Sequence, residues 1–102
     1  MLEKAIQKSI LDYLGYRQKC FWRNNSGAMV SEYKGRQRFM RFGENGSPDI
    51  FVVKNGNIYG LEVKNEKGKQ SDSQKEWEDK FTKAGGIYKV VRSLEDVQAL
   101  GL

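Results

Sequence analysis

Residues 50–64 constrain the fold of this chain more than any other stretch. Ile50-Phe51-Val52-Val53 is a short apolar strand, Asn55-Gly56 is a favoured two-residue hairpin turn, and Ile58-Tyr59-Gly60-Leu61-Glu62-Val63-Lys64 is a second strand. With Asn55-Gly56 as the turn, Lys54 pairs with Asn57, Val53 with Ile58, Phe51 with Gly60 and Asp49 with Glu62. Strand alternation then puts Lys64 on the same face as Glu62. Three ionisable side chains converge at the open end of one hairpin, beside the Ser47-Pro48 bend. A shift of one residue in the turn would send one carboxylate to the opposite face.

The flanking sequence supplies the rest of an α/β domain. Leu2, Ile6, Ile10 and Leu14 recur every four residues, with Ala5 and Tyr13 beside them, which predicts an amphipathic helix closed by Gly15. Cys20-Phe21-Trp22-Arg23 reads as a short strand ended by Asn24-Asn25-Ser26-Gly27. Residues 28–48 show no clear period, read as a long irregular loop and close with Gly43-Glu44-Asn45-Gly46-Ser47-Pro48. Ser71 with Gln74 three residues on matches a capping box, opening a helix to about Ala84 with Trp77 and Phe81 on its core stripe. Gly85-Gly86 stops it, residues 87–92 form a further strand, and Ser93 caps a last helix that buries Val97 and Leu100. Trp22 and Cys20 read as buried apolar residues. The order implies a central mixed β-sheet flanked by helices, in a single domain over residues 1–102.

Composition narrows the chemistry. The chain has 18 Lys+Arg, 13 Asp+Glu and no His, a formal charge of +5. Histidine-dependent triads, Cys-His dyads and histidine-ligated zinc are excluded. A lone Cys20 makes no disulfide within the chain, which suits a reducing compartment, and no apolar run has the length of a membrane span or signal peptide. The positive balance favours an anionic partner such as nucleic acid.

Two carboxylates opposed across a strand pair repel, and burial pushes one to hold a proton. A divalent cation reverses that, since hard oxygen ligands neutralise its charge. Lys64 stands where a cation can stabilise developing phosphorane charge, or orient and deprotonate a water. The arrangement fits metal-assisted phosphodiester hydrolysis. Taken separately, an Asp after Pro is an ordinary turn residue and Glu-Val-Lys an ordinary strand alternation; together they form a far more restrictive pattern.

Gly46-Ser47-Pro48-Asp49, a strand, and Glu62-Val63-Lys64 resemble the PD-(D/E)xK nuclease signature. The flanks resemble its virus-type replication-repair nuclease branch, VRR-NUC: Glu3 in the first helix, Ser71-x-x-Gln74-x-x-Trp77, Ala84-Gly85-Gly86 and Val90-Val91-Arg92-Ser93. The resemblance covers nearly the whole chain except residues 15–42. It implies a restriction-endonuclease-like core and Mg²⁺- or Mn²⁺-dependent cutting of DNA, with no organic cofactor. Asp49 and Glu62 would be metal ligands, joined by the Val63 carbonyl and Glu3, and Lys64 the catalytic lysine. Gln74 matches the family's helix glutamine and equally the third residue of the capping box; Glu3 is equally an exposed helix residue. Stand-alone domains of this size are similar to phage or prokaryotic homodimeric Holliday-junction resolvases that act in DNA repair, which implies a cytoplasmic protein of a prokaryote or phage-infected cell. A C2 dimer presents two identical sites to a four-way junction. A flap- or nick-directed nuclease, and a non-catalytic DNA-binding module on the same fold, are the alternatives.

Lys34, Arg36, Arg38 and Arg41 crowd the segment before the Pro-Asp turn, and Lys67 and Lys69 follow Glu-Val-Lys. All six are candidates for phosphate contact, or else solvated loop charges. Tyr33, Phe39 and Phe42 are candidates for stacking at a junction, for a dimer surface or for core packing.

Overall fold

The turn at Asn55 and Gly56 forms with φ of 52° and 78°, the left-handed pair of a type I′ hairpin. A computed structural model describes residues 1–24, 27–42 and 44–102; for 27–31, 33 and 38–42 the description is of the backbone. The elements are α1 (Glu3–Tyr16), β1 (Cys20–Arg23), β2 (Gly27–Tyr33), β3 (Arg36–Phe42), β4 (Ile50–Lys54), β5 (Asn57–Val63), α2 (Asp72–Lys83), β6 (Ile87–Val91) and α3 (Leu94–Gln98). One mixed sheet has the order β1-β4-β5-β6, and β2 and β3 form a second, two-stranded sheet. β4 is antiparallel to both β1 and β5, whereas β6 returns parallel to β5 after α2. This is the central mixed sheet flanked by helices that the sequence predicts.

Alternation divides the four-stranded sheet into two differently packed faces. On one face Ile50, Val52, Leu61, Val63 and Val91 pack with Ile6, Ile10 and Leu14 of α1, Val97 of α3 and Leu102. The four-residue spacing in α1 thus buries one stripe. The other face is aromatic. Phe51 lies 5.2 Å from Trp22 and 6.0 Å from both Trp77 and Phe81 of α2, and Trp77 stacks on Phe81 at 4.7 Å between ring centroids. No residue of α2 is fully buried, and Trp77 and Phe81 pack on the sheet while remaining partly exposed.

Several expectations change. Gly15 does not end α1: the helix runs to Tyr16, Arg17 caps it, and the left-handed residue is Gln18 at φ 55°. Cys20 is exposed and Trp22 is 45% exposed, because β1 is an edge strand with one neighbour. Most of residues 28–48 is no loop but the β2–β3 hairpin, turning at Lys34 (φ 51°) and Gly35 (φ 75°). Asn25, Ser26 and Gly43, in the expected turn and loop, lie outside the described residues. Among the described residues no helix is long and apolar enough to cross a membrane.

Candidate active site

The Pro-Asp turn is held from three sides. The Asn24 amide donates to Ser47 Oγ and to Pro48 O, both at 2.8 Å, and Ser47 Oγ donates to Glu44 O at 2.6 Å. Lys80 of α2 pairs with the Glu44 carboxylate at 2.6 Å. Gly46, at φ +87°, runs so close to α2 that a Cβ there would lie 2.3 Å from Ser73 O. Gly60 leaves equivalent room for Pro48, whose Cγ would lie 2.7 Å from an added Cβ. The bend is therefore wedged between sheet and helix, and Asp49 leaves it at a fixed place.

The hairpin register follows the predicted pairing from Lys54–Asn57 to Ile50–Leu61 and stops there. Beyond it, the Asp49 N–H donates to Leu61 O at 3.0 Å, and the Asp49 carboxylate itself accepts the Val63 N–H at 2.7 Å. The side chain thus substitutes for a strand partner and is anchored beside Glu62. Glu62 is 2% exposed. Burial first, and then the adjoining Asp49 carboxyl, push the Glu62 carboxyl up to about 9; the Lys64 ammonium and the Tyr88 hydroxyl pull the other way without offsetting this. The Tyr88 hydroxyl lies 3.4 Å from Glu62 Oε1 and is itself held above the usual phenol range, chiefly by burial. Asp49, Glu62 and Lys64 are thus brought together.

Glu3 sits beside Lys64 instead of completing the pair. Its Oε1 accepts the Asn65 N–H at 3.4 Å, and both Glu3 Oε1 and Lys64 Cδ crowd Gly68, at 2.7 and 3.2 Å from an added Cβ. Among the described residues no set of three His, Cys, Asp or Glu side chains is arranged to hold a metal. Val63 separates Glu62 from Lys64, its side chain buried in the opposite face and its N–H on Asp49. The loop after Lys64 is pinned by Arg92, which donates to Asn65 O at 2.6 Å and Gly68 O at 2.8 Å. Asn65 Oδ1 closes the loop by accepting the Lys67 and Gly68 N–H groups at 3.0 and 2.7 Å.

Gln74 forms the reciprocal capping box: its Oε1 accepts the Ser71 N–H at 2.8 Å, and its N–H donates to Ser71 Oγ at 3.2 Å. Its side-chain carbonyl is therefore occupied, and its amide nitrogen is what it can offer a ligand. Lys67 and Lys69 are exposed on the loop beyond Lys64. Lys34 and Arg36 are exposed at the tip of the β2–β3 hairpin; the side chains of Arg38 and Arg41, and those of Tyr33, Phe39 and Phe42, lie outside the described residues. Residue-by-residue reading missed three supports. Asn24 reads as one turn residue among several, Tyr88 as an apolar strand residue, and the contacts of Arg92 span 24 and 27 residues of sequence. Only the length of that separation hides them.

The donor set suits a hard divalent cation. A nearly fully buried carboxyl held neutral against a second carboxyl is what such an ion would ionise, and Mg²⁺ commonly takes one or two carboxylates with waters and phosphate oxygens. No model of a known protein family matches this sequence, and no curated protein matches it. Among solved structures the chain is similar to a VRR_NUC domain: 26% identity, TM-score 0.64, with 96% of this chain and 91% of that one covered. The chain is an α/β domain whose mixed sheet carries helices on both faces and a carboxylate pair at one end. More narrowly, the fold of this chain is that of a VRR-NUC domain, the resemblance its motifs carry. That fold supports a nuclease role, with DNA a consistent substrate.

Proposed function

We propose that this protein is a metal-dependent, structure-selective endonuclease that hydrolyses phosphodiester bonds in branched DNA, acting as a homodimer on four-way junctions in the cytoplasm of a prokaryote or phage-infected cell. The observation that carries the reading is the buried Glu62 carboxyl set against Asp49, with Lys64 beside it, in a VRR-NUC fold. Asp49, Glu62 and the Val63 carbonyl would hold Mg²⁺ or Mn²⁺, and Glu3, held on the Asn65 N–H beside Lys64, would have to turn from there to join them. When bound, the cation supplies Lewis acidity to the scissile phosphate and lowers the pKa of water. Asp49 is fixed for that task by the Val63 N–H, and Glu62 by burial and Tyr88. Lys64 stabilises the extra negative charge of the transition state and can relay a proton. Gln74 presents its amide to the substrate from the first turn of α2. Lys34, Arg36, Arg38, Arg41, Lys67 and Lys69 bind flanking phosphates, a sequence-independent grip that suits reading shape.

The test is a labelled four-way junction, a 5′ flap and a linear duplex, each incubated with Mg²⁺, Mn²⁺ or EDTA, beside Glu62→Ala. Paired symmetrical nicks in the junction, absent with EDTA and with the variant, are expected. Preferential flap cutting would retain the nuclease and discard the resolvase. Tight binding with no cutting of any substrate would leave a binding module.

A further inference from the structure

A groove outside the carboxylate site runs along α1 between Leu2 and Asp12. Leu2, Ala5 and Leu11 contribute an apolar floor, Lys4, Gln7, Lys8, Asp12 and Arg23 a polar rim of net positive charge, and its volume is about 500 Å³. Leu2 is 75% exposed, so the floor is open to solvent. Lys8 is tied to Asp12 at 2.7 Å, but Lys4 and Arg23 form no ion pair among the described residues. The groove therefore presents two uncommitted cations above an apolar surface.

Both walls lead to the candidate active site. Lys4 follows Glu3, which sits beside Lys64 and accepts the Asn65 N–H. Arg23 pairs across the sheet with Ile50, the neighbour of Asp49, and the next residue, Asn24, donates its N–H to Asp49 O at 2.7 Å. Lys4 and Arg23 thus stand at the end of the sheet that carries Asp49 and Glu62.

We propose that the groove binds an unpaired nucleotide at the branch point, with the base on the Leu2-Ala5-Leu11 floor and its phosphates on Lys4 and Arg23. The inference rests on the branched-DNA reading above and concerns branches that carry an unpaired strand, as a flap does. Charge selects the class of ligand: a cationic rim fits a polyanion. The floor selects its form. Duplex DNA keeps its base faces stacked inside and offers only phosphates to such a surface, whereas an unpaired nucleotide offers an apolar face together with its charge. The volume lies within the roughly 300–1,000 Å³ of pockets for small organic groups.

The test measures binding in EDTA, so that it is independent of cleavage. Fluorescence anisotropy compares a 5′-flap duplex, the same flap with abasic residues, and the matching nicked duplex without a flap. The proteins are wild type, Ala5→Glu, which sets a carboxylate in the groove at an exposed helical position, and Lys4→Ala/Arg23→Ala. The wild type should prefer the flap, and both variants should reduce that preference about tenfold, weakening the nicked duplex by less than the flap. Abasic residues should weaken the wild type and not Ala5→Glu. Equal losses on all three substrates, an undiminished preference in variants that melt normally, or a wild type without preference would overturn the proposal. So would an Ala5→Glu variant whose altered property is its oligomeric mass, which would make the groove a contact between copies. Failure of the endonuclease reading shows separately, as absence of cutting with Mg²⁺ or Mn²⁺ whatever the binding pattern.

Discussion

Glu62→Gln tests the electrostatics of the site through stability alone. Glu62 is 2% exposed and its carboxyl is pushed up to about 9, by burial first and the Asp49 carboxyl second. Its unfolded-state value is about 4.3. A group whose pKa rises on folding stabilises the native state fully below the unfolded pKa, and that stability is lost as pH rises toward the folded pKa. Within the window the native state holds one more proton than the unfolded chain, so metal-free stability falls by about 1.4 kcal/mol per pH unit. Between pH 6 and 8 the fall is about 2–3 kcal/mol, a large share of the ~5–15 kcal/mol of a small domain. Glutamine keeps the volume and cannot ionise, so the variant should lack this slope and be the more stable protein at pH 8 in EDTA. Mg²⁺ should restore most of the loss in wild type, increasingly so at higher pH, and do little for Glu62→Gln. Urea denaturation at pH 6, 7 and 8, with EDTA or Mg²⁺, reads all of this. Parallel pH dependences for wild type and variant in EDTA would refute the reasoning.

Three further outcomes follow from the same geometry. Gly46→Ala should destabilise by about 1–3 kcal/mol in urea denaturation, since it combines φ +87° with a Cβ 2.3 Å from Ser73 O, and it should lower cleavage by moving the Pro-Asp turn. Leu14→Ala, at a fully buried position of α1, should cost about 2–5 kcal/mol in the same assay, and a loss under 1 kcal/mol would contradict the packing described. Arg92→Ala frees the carbonyls of Asn65 and Gly68, so hydrogen exchange should quicken at residues 65–68 and kcat should fall while the melting temperature changes by only a few degrees.

What the sequence made legible is what local rules control. The Asn55-Gly56 turn sets its own register, and that register put Asp49, Glu62 and Lys64 together before any tertiary contact was considered. The Ser71–Gln74 capping box and the stripe of Ile6, Ile10 and Leu14 are likewise encoded within a few residues. The β2–β3 hairpin was illegible for two reasons. Its turn is Lys34-Gly35, which lacks the asparagine or aspartate that marks a left-handed first position. Its strands also mix charged and apolar residues at both alternation phases, as a two-stranded sheet apart from the main one permits. The ladder's end at Ile50–Leu61, where the Asp49 side chain takes over the hydrogen bond, needed coordinates. So did the Tyr88 hydroxyl near Glu62 and the Asn24 brace, both contacts between strands far apart in sequence.

The central claim is that Asp49 and Glu62 act as one cation-binding pair, and Mn²⁺ titration followed by electron paramagnetic resonance tests it most directly. Wild type, Asp49→Asn and Glu62→Gln would be titrated at pH 8 without DNA. The account predicts saturable Mn²⁺ binding in wild type, displaced by excess Mg²⁺, and a loss of at least about tenfold in affinity in each variant, with both variants folded. Affinity unchanged in either folded variant would contradict it.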